Sequence, residues 1–193
     1  MDAFETQQGL EPVRLDFVAA LRNAVSDKSS PLRYPILASV DADGLPQARV
    51  VILREFDPDT MVLRVFTDAR SPKMSQITLN PQVQFVFYDQ GQKLHFRVSG
   101  SAVTHHQNDV TEAYWKDLPE FGRGDYLSRL PPGADIVQPE DGWRNEDQFG
   151  SDNFTVLEIR VSTVDWLKLS AGGHKRARLS WEDGECHGQW VTP

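Results

Sequence analysis

Apolar residues recur at a spacing of four at Val13, Phe17, Leu21 and Val25, with Val18 beside them, which predicts one amphipathic helix over residues 12–26. Pro12 suits its first turn, where a missing N–H is no loss. From Tyr34 onward the texture becomes that of strands. Residues 36–40 run into Asp41-Ala42-Asp43-Gly44, a hairpin signal whose glycine supplies the positive-φ position. Residues 46–56 hold Val50-Val51-Ile52-Leu53, a β-branched run that predicts a strand covered on both faces. Asp57-Pro58-Asp59 turns the chain into a third strand, 61–67. A short helix is expected over 73–79, stopped by Asn80-Pro81 because proline disfavours helix in the residue before it. Residues 83–88 and 94–103 form a second hairpin about Asp89-Gln90-Gly91, and 107–118 is helical in pattern. Residues 154–169, 176–181 and 187–191 close the chain as strands, with Glu182-Asp183-Gly184 as a turn. Six or more antiparallel strands with two or three helices predict a mainly β protein whose sheet closes into a barrel and so hides its edges.

Composition narrows this picture. The chain has 193 residues, 39% hydrophobic and 25% charged, which is one ordinary globular domain by length and balance. No apolar run approaches a membrane span, and the N-terminal MDAFETQQGLEP is too polar for a signal peptide. A single cysteine, Cys186, excludes an internal disulfide and fits a reducing cytoplasm. With 20 Lys and Arg against 28 Asp and Glu, the net charge of −8 gives nucleic-acid binding no global support. The stretch 131–153 is polar, acidic and irregular, and a loop of that length is expected to be a lid or partly disordered. His105-His106 and Cys186-His187 lack the convergent ligands of a zinc site, so no metal is expected. The absence of Gly-x-Ser-x-Gly and of Gly-x-Gly-x-x-Gly leaves no hydrolase elbow and no Rossmann site.

Within this acidic chain, cations gather beside strand ends. Arg49 and Arg54 bracket one strand, and Arg70, Ser71 and Lys73 follow another. A phosphate monoester is best held by two or more such cations with a hydroxyl or backbone N–H. Taken by spacing alone, the same charges read more readily as solvated strand ends. The words ARVVILREFD (48–57), VFTDARSPK (65–73) and NPQVQFVFY (80–88) resemble pyridoxamine 5′-phosphate oxidase and the related FMN-binding split barrels. The closing stretch VDWLKLSAGGHKRARLSWEDGECHGQWVTP resembles that family's end, and WKDLPEFGRGDYLSRLPPG (115–133) is more like the oxidase-related branch.

The resemblance implies a six-stranded split barrel with flanking helices, FMN as cofactor, and an obligate homodimer with the flavin at the subunit interface. Arg49 matches the family's phosphate-contacting arginine, and the backbone of Val50, Val51 and Ile52 runs along the flavin. Phe66-Thr67 takes the place of a Tyr-Thr pair at the isoalloxazine edge. Ser71 and Lys73 match a Ser-Arg-Lys phosphate clamp whose arginine is here Pro72, with Arg70 as the expected replacement charge. His95 stands for a flavin-contacting glutamine, and Trp166 and Arg176 match residues that the partner subunit contributes.

On the substrate side Arg54 replaces a lysine, Tyr114 stands for a tyrosine and His174 is retained, whereas Leu118 and Gly172 fall where the oxidases have arginines. The resemblance therefore implies an FMN oxidoreductase in which a hydride passes through flavin N5, with poor use of pyridoxamine phosphate. A nicotinamide-driven flavin reductase and a non-enzymatic flavin carrier or sensor remain the alternatives. No residue stands out as an acid or base, so the catalytic residues are unknown. An acidic lid repels a phosphate dianion and suits a neutral or cationic substrate.

Overall fold

The computed structural model describes residues 9–142, 151–182 and 184–193. Its strands are β1 Ile36–Val40, β2 Pro46–Val50, β3 Leu53–Asp57, β4 Val62–Asp68, β5 Gln82–Asp89, β6 Leu94–His106, β7 Phe154–Lys168, β8 Lys175–Glu182 and β9 Glu185–Val191. They form one sheet in the order β2-β1-β5-β6-β7-β4-β3, with β8 and β9 continuing from β7. Strands β2 and β3 are the two edges of the seven-strand path, yet only Val51 and Ile52 lie between them in the chain. A sheet whose edges are joined by so short a link must roll up. The seam between those edges carries no strand pairing, which makes the barrel split rather than closed by hydrogen bonds.

The sheet thus has nine strands where six were expected, for two reasons. The run 46–56 is not one strand covered on both faces: Val51 donates its N–H to Pro35 O (2.9 Å), the chain turns there, and Val50 is left 63% exposed. At the other end β7 is long enough to serve two partners. Its first half pairs with β4 (Phe154↔Asp68 to Arg160↔Val62), and its second half carries the β8–β9 hairpin. Strand β6 follows β7 throughout, with a register slip at Ser99/Gly100. Only glycine fits there, because a Cβ on residue 100 would lie 2.3 Å from the Arg160 carbonyl oxygen.

Helix α1 (Glu11–Ser26) lays Val13, Phe17, Leu21 and Ala24 onto the barrel, where Phe17 meets Phe56 and Phe96 edge-on. Helix α2 (Pro72–Leu79) starts with proline in its first turn and buries Met74, Gln76 and Ile77. Helix α3 (Asp109–Asp117) is opened by a capping box between Asn108 and Thr111. With α4 (Glu120–Arg123) and the turn Gly124–Tyr126 it forms a second apolar cluster, in which Leu118, Tyr126, Phe154 and Val156 pack with Phe66, Tyr114 and Trp115.

Of the expected lid, 131–142 is described and holds one short 3-10 turn, Pro139–Gly142. Residues 143–150, with Arg144, Glu146 and Asp147, lie outside the described residues, as do 1–8 and Asp183. Among the described residues no helix is long and apolar enough to cross a membrane.

Candidate functional site

The end of β4 organises the site, because three consecutive residues there serve three different groups. Thr67 accepts a hydrogen bond from Lys73 Nζ (2.7 Å), and Ser71 Oγ accepts another (2.7 Å). Ser71 is the N-cap residue of α2, but its hydroxyl turns to Lys73 instead of capping the helix. Arg49 reaches the same helix from β2. Its Nη1 donates to Ser39 Oγ (2.6 Å) and Leu37 O (3.3 Å), and its Nη2 donates to Gln76 Oε1 (2.9 Å). Burial holds the Lys73 ammonium below its ordinary pKa, with the Arg49 charge adding to the effect, and burial also lowers Arg49. Each cation's hydrogen bonds go to neutral groups, and among the described residues neither has an ion-pair partner. Lys73 stands in the first turn of α2 and Arg49 bonds Gln76 one turn further along, so two partly desolvated cations sit beside this helix, an arrangement that suits an anion.

Asp68, the next residue, takes Arg70 away from this cluster. The Arg70 guanidinium grips the Asp68 carboxylate through Nε (3.0 Å) and Nη2 (2.7 Å), and also donates to Ser128 O and Arg129 O. Arg70, named as the replacement for the charge lost at Pro72, is held here by Asp68, and its remaining donors strap the loop 128–129. Pro72 instead serves the first turn of α2.

Phe66, the preceding residue, faces the aromatic cluster, 5.2 Å from the Tyr114 ring and 5.1 Å from Phe154. The Arg54 guanidinium lies over Phe66, 5.5 Å from the ring centre, and its Nε is buried without a hydrogen-bond partner. Tyr114 donates its hydroxyl to Glu55 Oε2, and burial together with that carboxylate pushes its pKa up to about 12. Arg64 connects Glu55 (3.2 Å) to Glu158 (2.9 Å) behind it. Leu118 closes α3 and is buried in the same cluster.

The C-terminal residues divide. His95 and Arg176 lie on the outward face of β6-β7-β8, flanking Leu167 in the register. There Asp165 accepts from Arg176 Nε (2.8 Å) and Nη2 (2.7 Å) and pairs with Arg97 as well. Those bonds hold the Asp165 pKa at about 2. His95 contacts the Tyr88 ring, and burial followed by the Arg97 charge lowers its pKa.

Trp166 faces the other way. It is 6% exposed, it pairs with Ala177 rather than Arg176, and its Nε1 donates to Asp16 Oδ2 of α1 (2.9 Å). Trp166 and Arg176, matched by resemblance to residues that a partner contributes, thus lie on opposite faces of β7–β8, with Trp166 bonded to α1. His174 and Gly172 sit exposed in the β7–β8 turn, where His174 Nδ1 accepts from the Ser170 N–H (3.2 Å).

Sequence reasoning missed Ser39, Gln76, Glu55 and Asp165. Gln76 was legible in part: a glutamine on the buried face of a helix three residues after Lys73 needs a polar partner. Its Oε1 accepts from both Ser39 (2.7 Å) and Arg49. A cavity of about 720 Å³ lies elsewhere, lined in part by Met61, Arg160, Val161, Trp181 and Cys186. That is the other end of β4, about 20 Å from Thr67 at the rise of an extended strand.

Residues 14–106 match the sequence profile of the family described as pyridoxamine 5′-phosphate oxidase, FMN-binding domain. Over these residues the chain belongs to that family. FMN is the cofactor of this domain. The matched segment runs from α1 to the end of β6 and holds the whole Arg49–Lys73 cluster, whereas Trp166 and Arg176 lie beyond it.

The chain is 30% identical over 131 residues to a pyridoxine/pyridoxamine 5′-phosphate oxidase of Chromohalobacter salexigens, covering 67% of this chain and 56% of the relative. It is 29% identical over 173 residues to one of Salinispora arenicola, covering 81% and 73%. The chain spans about half the length of several curated relatives it matches. Among solved structures, a pyridoxamine 5′-phosphate oxidase-related, FMN binding protein from Nostoc punctiforme has a TM-score of 0.78 at 25% identity, covering 94% of this chain and 98% of that one.

Proposed function

We propose that this chain is an FMN oxidoreductase of the oxidase-related type, working as a homodimer, in which Arg49, Thr67, Ser71 and Lys73 hold the FMN phosphate. One observation carries the reading. Lys73 in the first turn of α2 and Arg49 beside the same helix are partly desolvated cations, and both are hydrogen-bonded only to neutral groups. Two such cations and two hydroxyls suit a phosphate dianion, and charge-assisted bonds to it would restore what burial has cost them.

FMN, when bound, supplies the two-electron redox chemistry. The chain's own part is to place it. The Val50–Ile52 link leaves the sheet beside Arg49 and offers backbone and apolar surface for the ring. Arg176 and His95 stand on the outward sheet face, where a second protomer can present them. Support for the dimer comes from the same face, where Ile36 (41% exposed), Val50 (63%) and Tyr88 (50%) make an apolar stripe that a second copy would cover. Arg54, Tyr114 and His174 are the residues we assign to substrate, within a single domain spanning 1–193. The cytoplasm is the compartment that fits one unpaired, buried cysteine.

The test is a titration of the flavin-free protein with FMN and with riboflavin, run beside sedimentation. The expected result is a stable dimer taking up one FMN per chain, with riboflavin bound far more weakly. Equal affinities remove the phosphate clamp, and a monomer that still retains FMN removes the interface. Pyridoxamine phosphate is expected to be a poor substrate, since Leu118 is buried in an apolar cluster and Gly172 lies in an exposed turn. A catalytic efficiency near 10⁴ M⁻¹s⁻¹, roughly the low end for ordinary enzymes, overturns that expectation. Rapid bleaching of the flavin by a reduced nicotinamide identifies a reductase instead, and tight binding without any turnover identifies a carrier.

A further inference from the structure

We infer that the substrate taken beside the flavin is a planar aromatic monoanion, a carboxylate, in place of the neutral or cationic molecule expected from the acidic stretch, held by Arg54 against the wall of Phe66, Tyr114 and Tyr126; this rests on the flavin reading above. Three arginines around the aromatic cluster already have partners. Arg70 is neutralised by Asp68, Arg64 by Glu55 and Glu158, and Arg123 donates to the carbonyls of Trp115 and Lys116 while stacking on Trp115. Arg54 differs from all of them. Among the described residues it has no carboxylate within ion-pair distance, and its Nε is shielded from water with no hydrogen-bond partner. A guanidinium set into an aromatic wall with an unsatisfied N–H is costly unless an anion completes it.

The number of cations sets the kind of anion. The clamp at α2 brings two cations and two hydroxyls together, which suits a dianion. The aromatic wall offers one cation, and the position that closes α3 beside it is the buried Leu118. A phosphate dianion there would keep one charge uncompensated in a poorly solvated place, whereas a carboxylate is matched by one guanidinium. The rest of the wall is flat and apolar. Phe66 and Tyr114 are 5.2 Å apart, Tyr126 packs on Phe154 at 5.0 Å, and the buried Tyr126 phenol is hydrogen-bonded to the Arg54 guanidinium, which leaves the Arg54 Nε as the group without a partner. Tyr114 is fixed by its bond to Glu55, so it contributes a ring face rather than a free hydroxyl. A ring bearing one carboxylate satisfies the guanidinium and the wall together.

The test uses the FMN-loaded protein and three probes that share one ring: benzoate, benzamide and phenyl phosphate. Binding is read as perturbation of the flavin's visible absorbance. Benzoate is expected to bind at least tenfold more tightly than either of the others. Arg54→Gln should remove that preference, and Arg54→Lys should keep part of it, because a point charge still attracts the carboxylate. Equal binding of benzoate and benzamide, or tighter binding of phenyl phosphate, overturns the inference, and both comparisons need only the unaltered protein. Failure to take up FMN overturns the flavin reading. Normal FMN uptake with no benzoate preference overturns this inference alone.

Discussion

Two groups of cations in this molecule look alike in the sequence and behave differently in the fold. Arg49 and Lys73 meet only hydroxyls, an amide and a carbonyl. Arg97 and Arg176 share the carboxylate of Asp165. The first pair is left electrostatically unfinished, with burial lowering the pKa of both members, so an anionic ligand has something to gain there. The second pair has already made its strongest bonds within the chain. An outside anion gains little from it. Counting arginines therefore says less about anion binding than asking which of them the fold has already neutralised.

The contrast breaks most visibly at Lys73. Lys73→Ala removes one of the two cations and is expected to weaken FMN binding by about 10- to 150-fold, the equivalent of one charge-assisted bond. Riboflavin affinity should not change, because the lost group faces only the phosphate. A parallel loss for both flavins in equilibrium dialysis would mean that Lys73 supports the fold rather than the phosphate.

At the other cluster the expected effect is on stability. Asp165→Asn leaves Arg97 and Arg176 side by side without their carboxylate and should lower Tm by about 2–8 °C. It should also flatten the acid limb of the stability curve. The Asp165 pKa is depressed in the folded chain, so its contribution is complete above 3.8 and is lost as pH falls toward about 2. An unchanged acid limb in the variant would show that the triad contributes nothing measurable.

Much of this was legible before any coordinates. The four-residue spacing around Phe17 located α1, and the hairpin signals at Gly44 and Gly91 located the strands on either side of them. The family resemblance of two stretches, 48–57 and 65–73, brought Arg49, Thr67, Ser71 and Lys73 forward as one set, and the fold gathers them beside α2. What failed depended on facts that are not local. The apolar run at Val50–Ile52 has the composition of a buried strand, but it lies at a sheet edge, where Val50 is left exposed and Val51 is only partly buried against the core. Trp166 and Arg176 lie ten positions apart, which hides the β7–β8 register that puts them on opposite faces. Arg70 is close in sequence to the clamp, yet an acid two residues earlier claims it. Gln76 and Ser39 carry no charge, so only the hydrogen bonds that converge on Arg49 mark them out.

Gln76 gives a smaller perturbation of the same comparison. Its Oε1 fixes the Arg49 fork without, in our reading, touching the phosphate, so Gln76→Leu should weaken FMN by about three- to tenfold, the scale of one hydrogen bond. Gln76→Glu should do more, because it gives Arg49 the carboxylate that the clamp otherwise lacks. It would turn the unfinished cluster into a copy of the finished one. FMN affinity in Gln76→Glu equal to that of the unaltered chain would show that the absence of a carboxylate near Arg49 does not matter.

The smallest effect at neutral pH, and the most direct reading of the clamp's electrostatics, is its alkaline behaviour. Burial lowers the Lys73 pKa below 10.5 in the flavin-free chain, and Arg49 lowers it further, against a smaller opposing pull from Asp68. The sign follows from linkage. A base whose folded pKa is depressed is held charged at a cost, so the flavin-free fold gains stability as pH rises through that folded pKa toward 10.5. A bound phosphate favours the charged ammonium and moves the pKa back up. FMN binding must then take up a proton at alkaline pH, and the affinity should fall steadily as pH rises above the folded pKa. The decline should begin well before an ordinary lysine would titrate. Lys73→Arg keeps its charge throughout this range and should lose the decline while retaining most of the affinity at about pH 7. Riboflavin titrated in parallel shares the ring's own ionisation and lacks the phosphate, so the difference between the two flavins isolates the clamp. If that difference does not narrow with rising pH in the unaltered chain, Lys73 is not the group that meets the phosphate.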